Sequence, residues 1–260
     1  MKQMTLSELL SLQTRVILGL VLREVRATFG NSSIGYAWAI ITPTASVALL
    51  VAIFSLADRH PPFGPSLALF FATGVFTLQF FTEFSGKLKT VFDANRALLT
   101  YPVIKDVDTI LARSILICAT YLTIMVVFFA TLVVTGLADP PARPEKVILA
   151  FLATALLGFG YGTVNAVIAS FWESWIQIER VLTRPLFFVS GIFFVPSHLP
   201  PQALDILTWN PILHLVEWFR AGYYPNYYTP VLDLHYPLLV GVGLTLVGLA
   251  GERLFRRWRF

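Results

Sequence analysis

The side chains that could do chemistry are few and dispersed. Four histidines, His60, His198, His214 and His235, stand in separate segments, without the paired spacing of metal sites, and we read each as interfacial or structural. The single cysteine, Cys118, lies in an apolar run and is read as packing. Gly86-Lys87-Leu88 lacks both the Ser or Thr and the upstream glycine of a Walker A loop. Ser190-Gly191 follows an apolar run, but Phe188 stands where an intramembrane Ser protease has a glycine, and a nucleophile needs a positioned base. No reaction of the chain's own follows from these residues. What remains is charge and aromatic surface. Arg15, Arg23 and Arg26 fit anionic lipid headgroups or the guidance of an anionic substrate inward. Trp38, Tyr161, Trp172 and Trp175 divide between an aromatic belt and a pathway lining. Tyr223, Tyr224, Tyr227, Tyr228 and Tyr236, with Trp209 and Trp218, form either such a belt or a surface on which sugar rings stack.

The elements that must position these groups belong to a membrane protein. The chain has 260 residues, 56% hydrophobic and 13% charged, with a net charge of +4. That composition excludes a separate soluble domain, and the modest charge gives no reason to expect a nucleic-acid partner. No cleaved leader is expected, because Arg15, Arg23 and Arg26 interrupt the first apolar run. Residues 1–30 are expected to form a cytoplasmic amphipathic helix lying in the interface, opened by a capping box from Thr5 to Glu8. Residues 31–260 form the transmembrane domain, with six spans at about 34–56, 67–84, 110–137, 147–171, 185–195 and 236–251. Polar residues 86–108 separate the second span from the third, and 91–105 suits docking onto a partner. Residues 196–230 carry Pro196, Pro200, Pro201 and Asn210-Pro211 between short apolar pieces. Neither piece is long enough to cross a bilayer. We read them as re-entrant half-helices, which membranes tolerate only where they are buried in protein or line a cavity. Of the 19 lysines and arginines, all but Arg59, Arg143, Lys146 and Arg220 fall on one side of this arrangement. The positive-inside rule then puts both termini in the cytoplasm. Gly158, Gly160 and Gly162, with Gly241, Gly243, Gly248 and Gly251, allow close helix contact.

Two blocks of sequence carry a resemblance. Leu22-Arg23-Glu24, then Thr28-Phe29-Gly30-Asn31-Ser32-Ser33-Ile34-Gly35-Tyr36-Ala37-Trp38 and Pro43, resembles the N-terminus of type 2 ABC exporter permeases for polysaccharides. Leu199-Pro200-Pro201, Trp209-Asn210-Pro211-Ile212-Leu213-His214-Leu215 and Glu217-Trp218-Phe219-Arg220-Ala221-Gly222 resemble the re-entrant region of the capsular-polysaccharide export inner-membrane subunit, the KpsM type. The resemblance covers nearly the whole chain. It implies an all-α permease working as a homodimer in the bacterial inner membrane. ATP and Mg would be bound by a separate ABC subunit, and this chain would bind no cofactor. The cargo would be a lipid-linked anionic polysaccharide, passed on to a periplasmic co-polymerase and outer-membrane export proteins. On this reading Arg23, Arg26, Lys87 and Arg96 form a basic entrance, and Trp38, Tyr161, Trp172 and Trp175 line the substrate pathway. Arg96, Tyr101, Pro102 and Lys105 couple to the ATPase, and Trp209, Trp218, Tyr223 and Tyr224 flank a periplasmic exit. The alternatives are a same-fold exporter of O-antigen, teichoic acid or another lipid-linked substrate, and an intramembrane enzyme acting on lipid-linked sugars.

Overall fold

The structure, a computed structural model, describes residues 6–30 and 33–256. Thr5 of the expected capping box, the Asn31-Ser32 pair, and Lys2, Arg257 and Arg259 of the charge count lie outside those residues. Every regular element among the described residues is helical: α1 (Leu6–Phe29), α2 (Ser33–Leu56), α3 (Leu67–Leu88), α4 (Val91–Ala94), α5 (Asp106–Val134), α6 (Pro144–Ala169), α7 (Trp175–Thr183), α8 (Leu186–Val189), a 3₁₀ turn (Pro196–His198), α9 (Pro201–Leu207), α10 (Pro211–Tyr223) and α11 (His235–Phe255). Local chemistry sets the helix starts. Ser66 caps α3 by accepting from the Leu69 N–H at 3.3 Å. Asp108 accepts from the Lys105 N–H at 2.9 Å at the start of α5, and Pro144 and Pro211 sit at the first position of α6 and α10.

Among the described residues five helices are long and apolar enough to cross a membrane: Ala37–Leu56, Leu67–Leu88, Asp106–Val134, Pro144–Ala169 and His235–Phe255. They match the expected first, second, third, fourth and sixth spans. Where the sequence reading puts a fifth, at 185–195, the structure has only the four-residue α8 followed by irregular backbone. The reason is local. Gly191 sits at φ +78°, a left-handed conformation that ends a helix, and Pro185 and Pro196 bracket the stretch. Eleven residues of helix would also reach only ~16 Å, short of a bilayer core.

The core forms around α3. Phe70, Phe71, Phe76, Phe80 and Phe84 are all buried. Phe80 stacks on Phe151 of α6 at 4.6 Å and on Tyr121 of α5 at 5.1 Å between ring centroids. α10 is buried along nearly all its length, so the stretch 196–230 includes a core element and is not a surface loop throughout. α6 meets α11 backbone to backbone. A Cβ on Gly160 would lie 2.7 Å from the Gly241 carbonyl oxygen. Gly160→Ala is therefore expected to destabilise the bundle by about 1–3 kcal/mol, the usual cost of overpacking. Gly243→Ala, which meets open space, should leave stability unchanged; thermal unfolding of the two purified variants in detergent checks the contrast.

Candidate functional site

Three polar clusters interrupt this apolar bundle, and two of them meet at the corner between α3, α4 and α5. The first ties down α1. Glu24, 4% exposed, accepts from Arg113 of α5 through both oxygens, at 2.8 and 3.0 Å. The same guanidinium donates to the Lys87 carbonyl at 2.9 Å, at the end of α3. This two-point fork fixes geometry as well as charge. Asn95, just past α4, donates to Glu24 at 3.3 Å and to the Val91 carbonyl at 2.8 Å. Arg23 donates to the Asn95 side chain and to the Ala94 carbonyl at 3.3 Å, and Gln13 donates to Asp108. α1 is thus pinned along its length to the polar stretch between the second and third spans.

The second cluster lies on the other side of the same corner. Lys89 Nζ is 2.6 Å from Glu179 Oε2, with side chains 8% and 3% exposed. Ser85 donates to the other carboxylate oxygen. Asn165 of α6 donates to Ser85 at 3.1 Å, and its own carbonyl accepts from Trp175 Nε1 at 2.8 Å. α3, α6 and α7 are joined by one chain of hydrogen bonds in which the carboxylate has a partner on each oxygen, the condition for retaining a buried ion pair.

The third cluster holds α10. Arg220 is fully buried. It donates to the carbonyls of Phe194 at 3.2 Å, Ile192 at 3.4 Å and Phe70 at 3.5 Å, and to Thr73 Oγ1 at 3.3 Å. Its guanidinium carbon lies 3.9 Å over the Phe70 ring, and Glu217 stands 3.6 Å away. Tyr227 donates to Glu217 at 2.7 Å. Burial pushes the Tyr227 hydroxyl well above its ordinary range, so it stays protonated and donates. The carbonyls that the Ser190–Val195 bend leaves without helical partners are the ones Arg220 meets. Asn210 completes the arrangement, accepting from the Ile212 N–H at 3.0 Å and donating to Ser190 Oγ at 2.9 Å. His214 is buried and satisfied: Nδ1 accepts from the Asp233 N–H at 3.1 Å, leaving Nε2–H to donate to the Thr208 carbonyl at 2.9 Å.

A cavity of about 800 Å³ opens between α1, α2, α3 and α5, lined among others by Glu24, Trp38, Gln79, Glu83, Lys87, Arg113 and Tyr121. It brings together Trp38 and Lys87 from two different expected groups. Arg26 and Arg96 are exposed, as are Tyr101, Pro102 and Lys105 of the expected coupling stretch. Trp172 and Trp175 lie 6.0 Å apart beside the Lys89–Glu179 cluster, and Tyr161 packs on Phe81 at 5.2 Å; Trp38 stands apart from these three. Of the four expected exit residues, Trp209 is 76% exposed, whereas Trp218, Tyr223 and Tyr224 are buried and present no open ring face in this conformation. Glu24, Asn95, Asn165 and Glu179 were not singled out as site residues from the sequence. The ion pairs span 89 and 90 residues, and no local spacing announces them.

The ABC-2 type transporter family profile matches residues 15–224. The chain belongs to this family. Over 231 residues this ABC-2 permease is 28% identical to the polysialic acid transport protein KpsM of Escherichia coli, covering 89% of this chain and 90% of that one. It is 31% identical over 245 residues to the capsule polysaccharide export inner-membrane protein CtrC of Neisseria meningitidis serogroup B, covering 94% and 92%. It is 28% identical over 255 residues to the capsule polysaccharide export inner-membrane protein BexB of Haemophilus influenzae, covering 97% and 96%. The match runs the length of both chains, so the three clusters fall inside the shared region.

Proposed function

We propose that this ABC-2 permease moves a lipid-linked acidic capsular polysaccharide across the bacterial inner membrane, driven by ATP hydrolysis in a separate nucleotide-binding subunit that holds ATP and Mg. The observation that carries this reading is end-to-end similarity to capsule export permeases, joined to a structure in which α1 is pinned to the 91–105 stretch by Arg23, Glu24, Asn95 and Arg113. A movement imposed on that stretch is passed directly to α1. Tyr101, Pro102, Lys105 and Arg96, exposed at the same corner, are the contact for the ATPase. The permease then needs two conformations that nucleotide favours unequally.

Two copies of the chain form the pathway, with both termini cytoplasmic and the broken stretch 185–195, after α7, serving as the remaining crossing, six in all. α1 lies in the interface as the gate, and Arg23, Arg26, Lys87 and Arg96 draw the anionic head toward it. Trp38, Tyr161, Trp172 and Trp175 supply ring surface along the path. Residues 196–230 form the re-entrant exit, where Trp209 is the exposed ring and Trp218, Tyr223 and Tyr224 open to the path only when α10 moves. The chain itself carries no ATPase chemistry, and periplasmic and outer-membrane partners take the polymer onward.

Co-expression with the ATP-binding protein encoded beside it tests the reading. A stable complex whose ATPase responds to the capsular glycolipid is expected; the absence of a complex contradicts it. Within that complex, Arg23→Gln with Arg26→Gln should lower export about tenfold, the effect of ~1.4 kcal/mol, with unchanged membrane insertion. Surface polysaccharide and membrane protein level are measured in the same cells.

A further inference from the structure

α3 is rich in phenylalanine and mostly buried, yet one row breaks the pattern. Gln79, Glu83 and Lys87 recur every four residues, so they stand above one another on a single helix face, each about 6 Å from the next. That face borders the cavity between α1, α2, α3 and α5. The row is poorly satisfied by the protein. Gln79 Oε1 is buried with no hydrogen-bond partner. The charged atoms of Glu83 and Lys87 are 3.8 Å apart, beyond hydrogen-bond distance, and their side chains remain 39% and 49% exposed.

The neighbouring groups do not repair this. Thr82 donates to the Gln79 carbonyl at 3.1 Å and Thr120 to the Leu116 carbonyl at 2.8 Å. Both hydroxyls therefore offer the cavity lone pairs and no proton. The Arg113 guanidinium is engaged by Glu24 and the Lys87 carbonyl. Beyond Glu24, which Arg113 and Asn95 engage, the wall thus presents acceptors, the Glu83 carboxylate, the Tyr121 hydroxyl and, a turn beyond Glu83, the Lys87 ammonium. Leu116, Ile117 and Ile124, with the ring of Tyr121, make the rest of the lining on α5 largely apolar.

We propose that this cavity holds the head of a membrane phospholipid bearing a primary ammonium. The phosphate rests on Lys87, and the ammonium donates to Glu83 and to Gln79 Oε1. A zwitterion meets both charges of the row at once, whereas an anionic head leaves Glu83 and Gln79 unmatched and a quaternary ammonium has no N–H to give. The acyl chains lie along the apolar wall. Bound there, the lipid fills the space between α1 and the α3–α5 core and steadies α1. The site shares Lys87 and Trp38 with the proposed cargo entrance and path, but its ligand is read from the α3 row and not from the cargo.

The test is native mass spectrometry of the permease released from nanodiscs. These contain equal parts of phosphatidylethanolamine and phosphatidylcholine with the same acyl chains, so the heads differ only in N-methylation. Retained lipid should be enriched about tenfold in phosphatidylethanolamine, the effect of one or two net hydrogen bonds. Glu83→Gln and Gln79→Leu should each bring the ratio toward parity, with melting of each variant recorded alongside. Lys87→Met, at a half-exposed residue whose phosphate partner is common to both lipids, should lower retention of both and leave the ratio unchanged. No enrichment in the parent protein, or enrichment that survives both Glu83→Gln and Gln79→Leu, overturns the proposal. A second nanodisc set replaces phosphatidylethanolamine with phosphatidylglycerol, whose head carries hydroxyls and no ammonium. Equal enrichment in that set would also overturn the assignment of the ammonium.

Discussion

Arg220→Met is expected to destabilise the folded permease by about 3–5 kcal/mol, the loss typical of breaking a buried charge pair by removing one partner. Arg220 is fully buried and its guanidinium meets three backbone carbonyls and the Thr73 hydroxyl. Methionine fills much of the volume but donates nothing. The carbonyls of Phe70, Ile192 and Phe194 would be left without these donors, and Glu217 would lose its charge partner while keeping Tyr227. Arg220→Lys should not rescue the protein, because one ammonium cannot reproduce a planar fork aimed at several acceptors and stacked on Phe70. For a chain of this size the loss corresponds to a fall of about 10 °C in melting temperature. Thermal unfolding in detergent or lipid, beside an exposed control such as Arg253→Met, measures it. A variant melting with the parent would show that α10 is not held by this residue.

The second large effect is expected at Lys89 and Glu179. Either Lys89→Met or Glu179→Gln removes one side of a 2.6 Å pair whose side chains are 8% and 3% exposed. Lys89→Met should cost about 3–5 kcal/mol, because it leaves a buried carboxylate with Ser85 alone. Glu179→Gln should cost less, since the amide oxygen still accepts from Lys89 or Ser85. The double change Lys89→Met with Glu179→Leu removes both charges together and should recover much of the Lys89→Met loss. The double-mutant cycle in melting free energy then yields a coupling term of ~1–3 kcal/mol. The pair joins α7 to the end of α3, one residue short of the turn into α4, so the same cycle should alter how many ATP molecules are hydrolysed per glycolipid moved. Additive single effects would contradict a direct coupling.

How far the sequence could be read varies by element. The long spans are legible because length and apolar composition alone define them. The break at 196–230 is legible because Asn210-Pro211 is both a cap and a helix start, and the structure uses it so. The stretch 185–195 is less legible: its apolar composition fits a span, while Gly191 ends the helix early. Partner choice is hidden almost completely. Lys89, Arg113 and Glu179 enter a sequence reading only as cytoplasmic charges, since their partners lie some 90 residues away. Arg220 reads as an outward charge beside an aromatic cluster, yet it is a core residue. Its place three residues after Glu217 in an otherwise apolar run is the one local sign of an internal pair. The burial of the tyrosines at 223 and 224 is hidden for the same reason. Their rings suit a surface for sugars, but α10 is buried nearly all round and takes them with it.

The most direct test of the central claim is ATP-driven movement of the cargo itself. The permease and its ATP-binding subunit are reconstituted in liposomes with a fluorescent lipid-linked acidic capsular glycan, and the fraction of label shielded from an outside quencher is followed after ATP and Mg are added. The account predicts a change in shielding that requires hydrolysable ATP and is about tenfold weaker with Arg23→Gln and Arg26→Gln together. Glycan that stays on its starting leaflet while the intact complex hydrolyses ATP would contradict it.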